Sequence, residues 1–213
     1  MRFDEAVRRL TRPGRFDAPL PEGPGALIPV FTDGRLRPRL EPGASARPSA
    51  VLALLFPDAA GTARIVLTER LTYDGHHSGE VSLPGGKSEP GDADVAATAL
   101  REAAEEVALD AAGAGVAVVG QLDGLWIPVS DYRISPIVAV APRRPALAPN
   151  PAEVARILEP AVGSFLPGAP IEVVERSIGG LHLRYGGYRV DGLHVWGATA
   201  RILGQLGALL GDG

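Results

Sequence analysis

Gly85-Gly86-Lys87-Ser88-Glu89-Pro90-Gly91-Asp92, then a run of mostly small residues, then Arg101-Glu102-Ala103-Ala104-Glu105-Glu106-Val107-Ala108-Leu109: here turn residues, a helix and clustered carboxylates meet. The first part reads as a glycine-rich loop, because Gly85, Gly86, Pro90 and Gly91 break regular structure. Asp92 and Asp94 are both helix N-cap candidates, and capping is the safer role for Asp92. From there to about Val107 the chain is rich in alanine and leucine, strong helix formers. Ala96, Leu100, Ala103 and Val107 then share one buried face. Glu102, Glu105 and Glu106 fall three and four apart on another face, read as exposed, with Cβ atoms roughly 5–6 Å from one another.

Three carboxylates that close repel unless a cation lies among them. Arg101 and one or more metal ions are the candidates. Hard oxygen ligands suit magnesium or manganese, and magnesium is usually shared between carboxylates and a substrate's phosphates. A charge run on a helix is ordinarily a solvated face. The glycine segment at a fixed interval before Arg-Glu-Ala-Ala-Glu-Glu makes this one more specific.

Composition sets the bounds. The 213 residues suffice for one domain with a real core, and the hydrophobic fraction of 46% is that of a globular protein. With no cysteine there is no disulfide and no thiolate chemistry, which fits a reducing cytoplasm. The charged start Met1-Arg2-Phe3-Asp4-Glu5 is followed by no apolar run long enough for a signal peptide or a membrane span, so no membrane association is expected. A net charge of −4 disfavours general nucleic-acid binding but not a small anionic substrate, since a bound metal reverses the local charge.

Residues 3–11 form a short helix with Phe3, Val7 and Leu10 on one side. Residues 12–48 hold eight prolines and read either as extended, partly ordered chain that wraps the domain or contacts a partner, or equally as a disordered segment. Val51-Leu52-Ala53-Leu54-Leu55-Phe56 and Arg64-Ile65-Val66-Leu67-Thr68-Glu69-Arg70 read as a hairpin of strands. His76 and His77 are adjacent and read as surface loop histidines, not as joint metal ligands. Further strands are expected at residues 79–83, 116–122, 125–129 and 134–141, and two or three between 171 and 190. Trp126 and Tyr132 have the rings to stack on a base, with core packing the commoner role. Asn150-Pro151-Ala152-Glu153 carries the signature of a helix start, with Asn150 as cap; capping accounts for Glu153, which therefore stays outside the catalytic set. Residues 195–210 form an amphipathic helix along Val195, Thr199, Ile202, Leu206 and Leu210, which closes the core or makes a homodimer.

Gly86, five residues and Asp92, then Arg101, Glu102, Glu105, Glu106 and Leu109, resemble the Nudix box. The chain departs from it in three places: Asp92 replaces the usual glutamate, one extra residue precedes Arg101, and Ala108 stands where glycine is usual. The resemblance implies an α/β (α+β) fold, a mixed β-sheet sandwiched between α-helices, with residues 1–48 an N-terminal helix and Pro/Gly-rich segment and 49–213 the Nudix hydrolase domain. It implies that Glu102, Glu105 and Glu106 hold Mg2+ or Mn2+ with the Gly86 carbonyl as a further ligand. Arg101 orients a carboxylate, and a phosphoanhydride linked to a nucleoside is hydrolysed. Val66-Leu67-Thr68-Glu69-Arg70, Gly79 and Pro84-Gly85-Gly86 further resemble the signature before the box in coenzyme A pyrophosphatases, with Gly75 and Leu83 in place of its second arginine and its phenylalanine. Asp131-Tyr132-Arg133-Ile134-Ser135-Pro136 and Val195-Trp196-Gly197-Ala198-Thr199-Ala200 are similar to the same subfamily. That likeness implies cleavage of coenzyme A to 4′-phosphopantetheine and 3′,5′-ADP. Arg70, Arg133 and the backbone at Gly85 are the candidates for the substrate's phosphates. ADP-ribose or a dinucleotide as substrate, and a nucleotide sensor without catalysis, are the alternatives.

Overall fold

An eleven-residue strand, β2 (Arg47–Pro57), is the spine of the computed structural model. The structure describes residues 1–17, 19–36, 43, 45–71, 80–128, 130–178 and 180–211. His76, His77, Gly75 and Gly79 lie outside them.

Before the spine come α1 (Phe3–Leu10) and β1 (Val30–Phe31). After it come β3 (Ala63–Ile65), β4 (Leu67–Arg70), β5 (Val81–Ser82), β6 (Gly85–Lys87), α2 (Val95–Val107), β7 (Ala117–Gln121), β8 (Leu125–Ile127) and β9 (Tyr132–Val140). The chain then forms β10 (Val154–Leu158), β11 (Glu172–Ile178), β12 (Leu181–Val190), β13 (Leu193–Val195) and α3 (Gly197–Gly211).

β2 pairs in parallel with β9, from Arg47↔Tyr132 to Leu55↔Val140. It pairs antiparallel with β6 at one end and β3 at the other, while β7 and β8 add to β9, giving a mixed six-stranded sheet. The uninterrupted apolar run in β2 suits a strand covered on both faces. Leu52, Leu54 and Phe56 pack with Ala99, Ala103 and Val107 of α2. Ala53 and Leu55 enter a second core with Leu203, Leu206 and Leu210 of α3. The sheet therefore lies between helices, as expected.

Two smaller antiparallel sheets complete the chain: β10-β4-β5, and β1-β12-β11 with β13 on β12. The expected strand 64–70 is broken at Val66, where the chain passes from the six-stranded sheet into the three-stranded one. The helix expected from Asn150 is instead a turn leading into β10. Asn150 Oδ1 accepts from the Ala152 amide, and its carbonyl accepts from Glu153 and Val154. Val154 and Ile157 then pair with β4, a long-range gain that outweighs the local helix signature. Val195, expected in the last helix, belongs to β13.

The described part of residues 12–48 lies along the domain. Leu20 and Leu27 are buried with α3 in the second core. Gly204 of α3 admits this close approach: a Cβ there would meet Leu27 Cδ1 at 2.5 Å.

α2 ends at Ala108, which adopts a left-handed conformation with φ 54°. Glycine takes that geometry without the Cβ penalty of about 1 kcal/mol. Ala108→Gly should raise the melting temperature by about 1–2 °C in a thermal scan, the small net of that relief and the added freedom of the unfolded chain.

Candidate active site

Asp94, not Asp92, caps α2, accepting from the Ala97 amide at 2.8 Å. Asp92 instead receives Arg101 Nε at 3.0 Å and Nη2 at 3.2 Å, the Glu89 amide at 2.9 Å and the Thr98 hydroxyl at 2.8 Å. The Arg101 guanidinium and these donors hold its carboxyl well below the usual carboxylate range. Its role is to fix Arg101.

Arg101 is the hub of the cluster. Besides Asp92 it reaches the Lys87 carbonyl at 2.9 Å, Glu105 at 3.1 Å and Glu102 at 3.1 Å. The glycine segment it ties down is not a loop at its start: Gly85–Lys87 is β6, registered so that Gly86 faces Ala50 and Gly85 faces Val51. Pairing to β2 supplies what glycine and lysine lack in strand propensity.

The three glutamates are not equivalent. Glu105 is exposed, Glu102 half-buried and Glu106 buried, with 3% of its surface accessible. The expected exposed acidic face is thus wrong for Glu106. The reason is local: α2 lies on the sheet, and Asn150 closes over its last turn by donating its amide to the Glu106 carbonyl at 2.8 Å. The Glu106 side chain accepts from the Gly85 amide at 3.2 Å, and Arg70 Nη1 stands 3.8 Å from its other oxygen. Burial outweighs both and pushes its pKa from 4.5 to about 7, with Glu102 and Glu153 pushing the same way. Burial likewise raises Glu102, against the pull of Arg101.

Gly86 is present for space. A Cβ there would sit 2.5 Å from the Glu102 carboxylate. Its backbone angle suits any residue, so Gly86→Ala should displace the Glu102 side chain rather than the fold. The expected outcome is a ten- to hundredfold fall in turnover with the melting temperature held within about 2 °C.

Glu153, set aside in the sequence, belongs to this site. The Asn150 turn and the bond from the Leu71 amide to the Glu153 carbonyl place its charge where it raises both Glu102 and Glu106. Its approach depends on β10 pairing with β4, which no local pattern announces. Arg70 is partly buried, and its Nε has no partner among the described residues. Arg133 is not brought to the carboxylates: it is exposed on β9, at the register position of Pro48. Trp126 and Tyr132 pack, one donating to Asp131 at 2.9 Å and the other lying 4.2 Å under Arg47.

The donor set fits a hard divalent cation. Two carboxylates with raised pKa adjoin each other and the backbone of β6, and carboxylate charge there is relieved by a cation. Among the described residues no three acidic or histidine side chains converge on one point. Magnesium characteristically takes one or two carboxylates and completes its shell with water and substrate phosphates.

A mixed sheet thus lies between helices, with carboxylates on one helix pinned by arginine against a glycine strand. The chain belongs to the Nudix family: the NUDIX domain model matches residues 46–158. It is 39% identical over 161 residues to Nudix hydrolase 22, chloroplastic, of Arabidopsis thaliana, an overlap of 73% of this chain and 52% of that protein. It is 37% identical over 142 residues to a Photorhabdus laumondii protein described as an uncharacterized Nudix hydrolase, NudL, covering 67% of this chain and 74% of that one. The chain thus spans about half the length of the Arabidopsis relative. The crystal structure of RenU, a Nudix hydrolase from M. smegmatis, overlaps 56% of this chain and 73% of that one at 20% identity and a TM-score of 0.47.

Proposed function

We propose that the chain is a divalent-metal-dependent pyrophosphatase that hydrolyses the phosphoanhydride of coenzyme A, its thioesters or its oxidised form, yielding 3′,5′-ADP and 4′-phosphopantetheine or its derivative. The observation that carries the reaction type is the buried Glu106 carboxylate beside Glu102, under the backbone of Gly85 and Gly86. Support for the substrate comes from the sequence before the box and from residues 131–136 and 195–200.

Glu102 and Glu106 would hold Mg2+ or Mn2+, with Glu105 and the Gly86 carbonyl as further oxygens. A bound cation of this kind neutralises a pyrophosphate and lowers the pKa of a coordinated water. Arg101 keeps Glu102 and Glu105 in place through its anchor on Asp92. Arg70, whose Nε has no partner among the described residues and whose Nη1 stands beside Glu106, binds a phosphate oxygen of the substrate as a planar fork. Arg133, further along the sheet, serves a more distant phosphate. Glu153 makes no ion pair among the described residues, and it accepts the proton of the attacking water. Glu153→Gln should lower kcat about a hundredfold while a manganese titration gives an unchanged affinity; weakened metal binding would make it a ligand instead.

The nearest alternative, ADP-ribose or a dinucleotide as substrate, is favoured by Gly75 standing where the coenzyme A signature has arginine. Product analysis with coenzyme A, ADP-ribose and a reduced dinucleotide in parallel, each with magnesium or manganese, separates the readings. Release of 3′,5′-ADP from coenzyme A alone supports the proposal. Preference for ADP-ribose overturns the substrate, and binding without cleavage of any overturns the reaction.

A further inference from the structure

Beyond the matched segment, β11, β12 and β13 bring an aromatic group together. Tyr185 and Trp196 are stacked, ring centres 4.9 Å apart and planes 27° from parallel. His194 lies beside Tyr185 at 6.3 Å. On Trp196 rests the Arg176 guanidinium, 6.0 Å from the ring centre. Arg47 over Tyr132, a closed stack in the same molecule, is at 4.2 Å. Arg176 is exposed on the edge strand β11, and its side chain makes no hydrogen bond or ion pair among the described residues.

Two further observations single out this group. Tyr185 Oη and both His194 ring nitrogens are buried with no partner among the described residues. Protein interiors seldom leave such atoms unmet, and three in one cluster set this group apart from ordinary core packing. The group also adjoins the active site. β13 packs against β5, and Glu80, just before β5, is close enough to oppose Arg176 in its pull on the Tyr185 hydroxyl, whose pKa burial raises. The Glu80 carbonyl accepts the Arg70 amide at 3.0 Å, and Arg70 faces Glu106.

We propose that Trp196, backed by Tyr185 and covered by Arg176, is the stacking platform for the base of the substrate's nucleoside diphosphate. This rests on the pyrophosphatase reading above. An aromatic face backed by a second ring is held rigid, so a base loses little in docking on it. A mobile arginine then closes over the base and adds a cation–π contact. The platform selects for a flat ring at one end of the substrate and is indifferent to the group beyond the phosphates.

The test uses ADP as probe, with ribose 5-phosphate plus pyrophosphate as the base-free control. Trp126 and Trp196 are the only tryptophans, so fluorescence isolates the platform through Trp196→Phe. ADP should quench emission of the wild type and not of Trp196→Phe, and the base-free control should quench neither. Arg176→Ala, a surface change, should raise KM about tenfold with kcat unchanged, and Trp196→Phe, which keeps a ring, should raise it less. Unaltered emission at ADP concentrations that inhibit hydrolysis, with KM of Arg176→Ala unchanged, overturns the platform and leaves the pyrophosphatase intact. If no nucleoside diphosphate derivative is cleaved, the reaction fails on its own, and ADP quenching alone still decides the platform.

Discussion

Glu106→Gln should lower kcat about a thousandfold while the metal-free protein melts no lower than the wild type. The two halves share one cause. Glu106 is a buried carboxylate whose neighbours do not compensate its desolvation: one amide at 3.2 Å and an arginine at 3.8 Å leave its pKa at about 7. Glutamine has the same shape and still accepts from the Gly85 amide, so packing survives. It carries no charge to hold a cation. The same burial makes stability depend on pH. The folded pKa lies above the ordinary 4.5, so the folded state holds this proton more tightly than the unfolded chain. That stabilisation is complete below pH 4.5 and lost as pH rises through about 7. Melting curves in chelator should show this contribution in the wild type and lack it in Glu106→Gln. A variant with full activity would remove Glu106 from the mechanism; one that melts well below the wild type would show that the charge itself supports the fold.

The largest expected loss of stability comes from a position remote from the site. Gly207 lies on the face of α3 pressed against residues 162–166, where a Cβ would overlap the Phe165 carbonyl oxygen. That obstacle is backbone, not the end of a flexible chain. Gly207→Ala can be accommodated only by moving α3 away from a core that includes Leu203, Leu206 and Leu210. A destabilisation of about 3 kcal/mol or more is expected, a fall in melting temperature of about 6–12 °C. Gly91→Ala, with nothing within 4 Å of its Cβ, is the control and should be nearly neutral. Similar melting of the two variants would contradict the close approach.

Much of the site is legible because helix spacing is fixed. Arg101, Glu102, Glu105 and Glu106 are set on one helix by residue number alone. Their burial is not, since it depends on Asn150 closing over the end of α2 from a distant segment. Asn150-Pro151-Ala152-Glu153 misleads because a capping box and a turn stabilised by an asparagine side chain begin alike. The difference lies downstream, where Val154 and Ile157 are strand residues only because β4 is there to receive them. Gly85–Lys87 reads as loop for the same reason, its strand character coming from β2. Asp92 has the right vicinity and the wrong expected task, since two aspartates compete for one cap and geometry gives it to Asp94. The aromatic group of Tyr185, His194 and Trp196 carries no periodic signal at all, being assembled by the β12–β13 pairing.

The seam between the first residues of the chain and α3 governs how the protein acquires its structure. Arg9 Nη1 donates to the Leu210 carbonyl at 2.5 Å, a contact 201 positions apart in sequence. Leu27 fills the notch at Gly204. Glycine at 204, 207 and 211 makes α3 a poor helix in isolation, each costing about 1 kcal/mol relative to alanine. α3 thus gains its order from docking, and the surface it docks on is built partly from residues near position 10. During synthesis the apolar sides of α1 and of the second core wait for a partner 201 positions downstream to emerge. Such non-local closure makes for slow refolding and a long-lived sticky intermediate, so yield on dilution from denaturant should fall steeply with protein concentration.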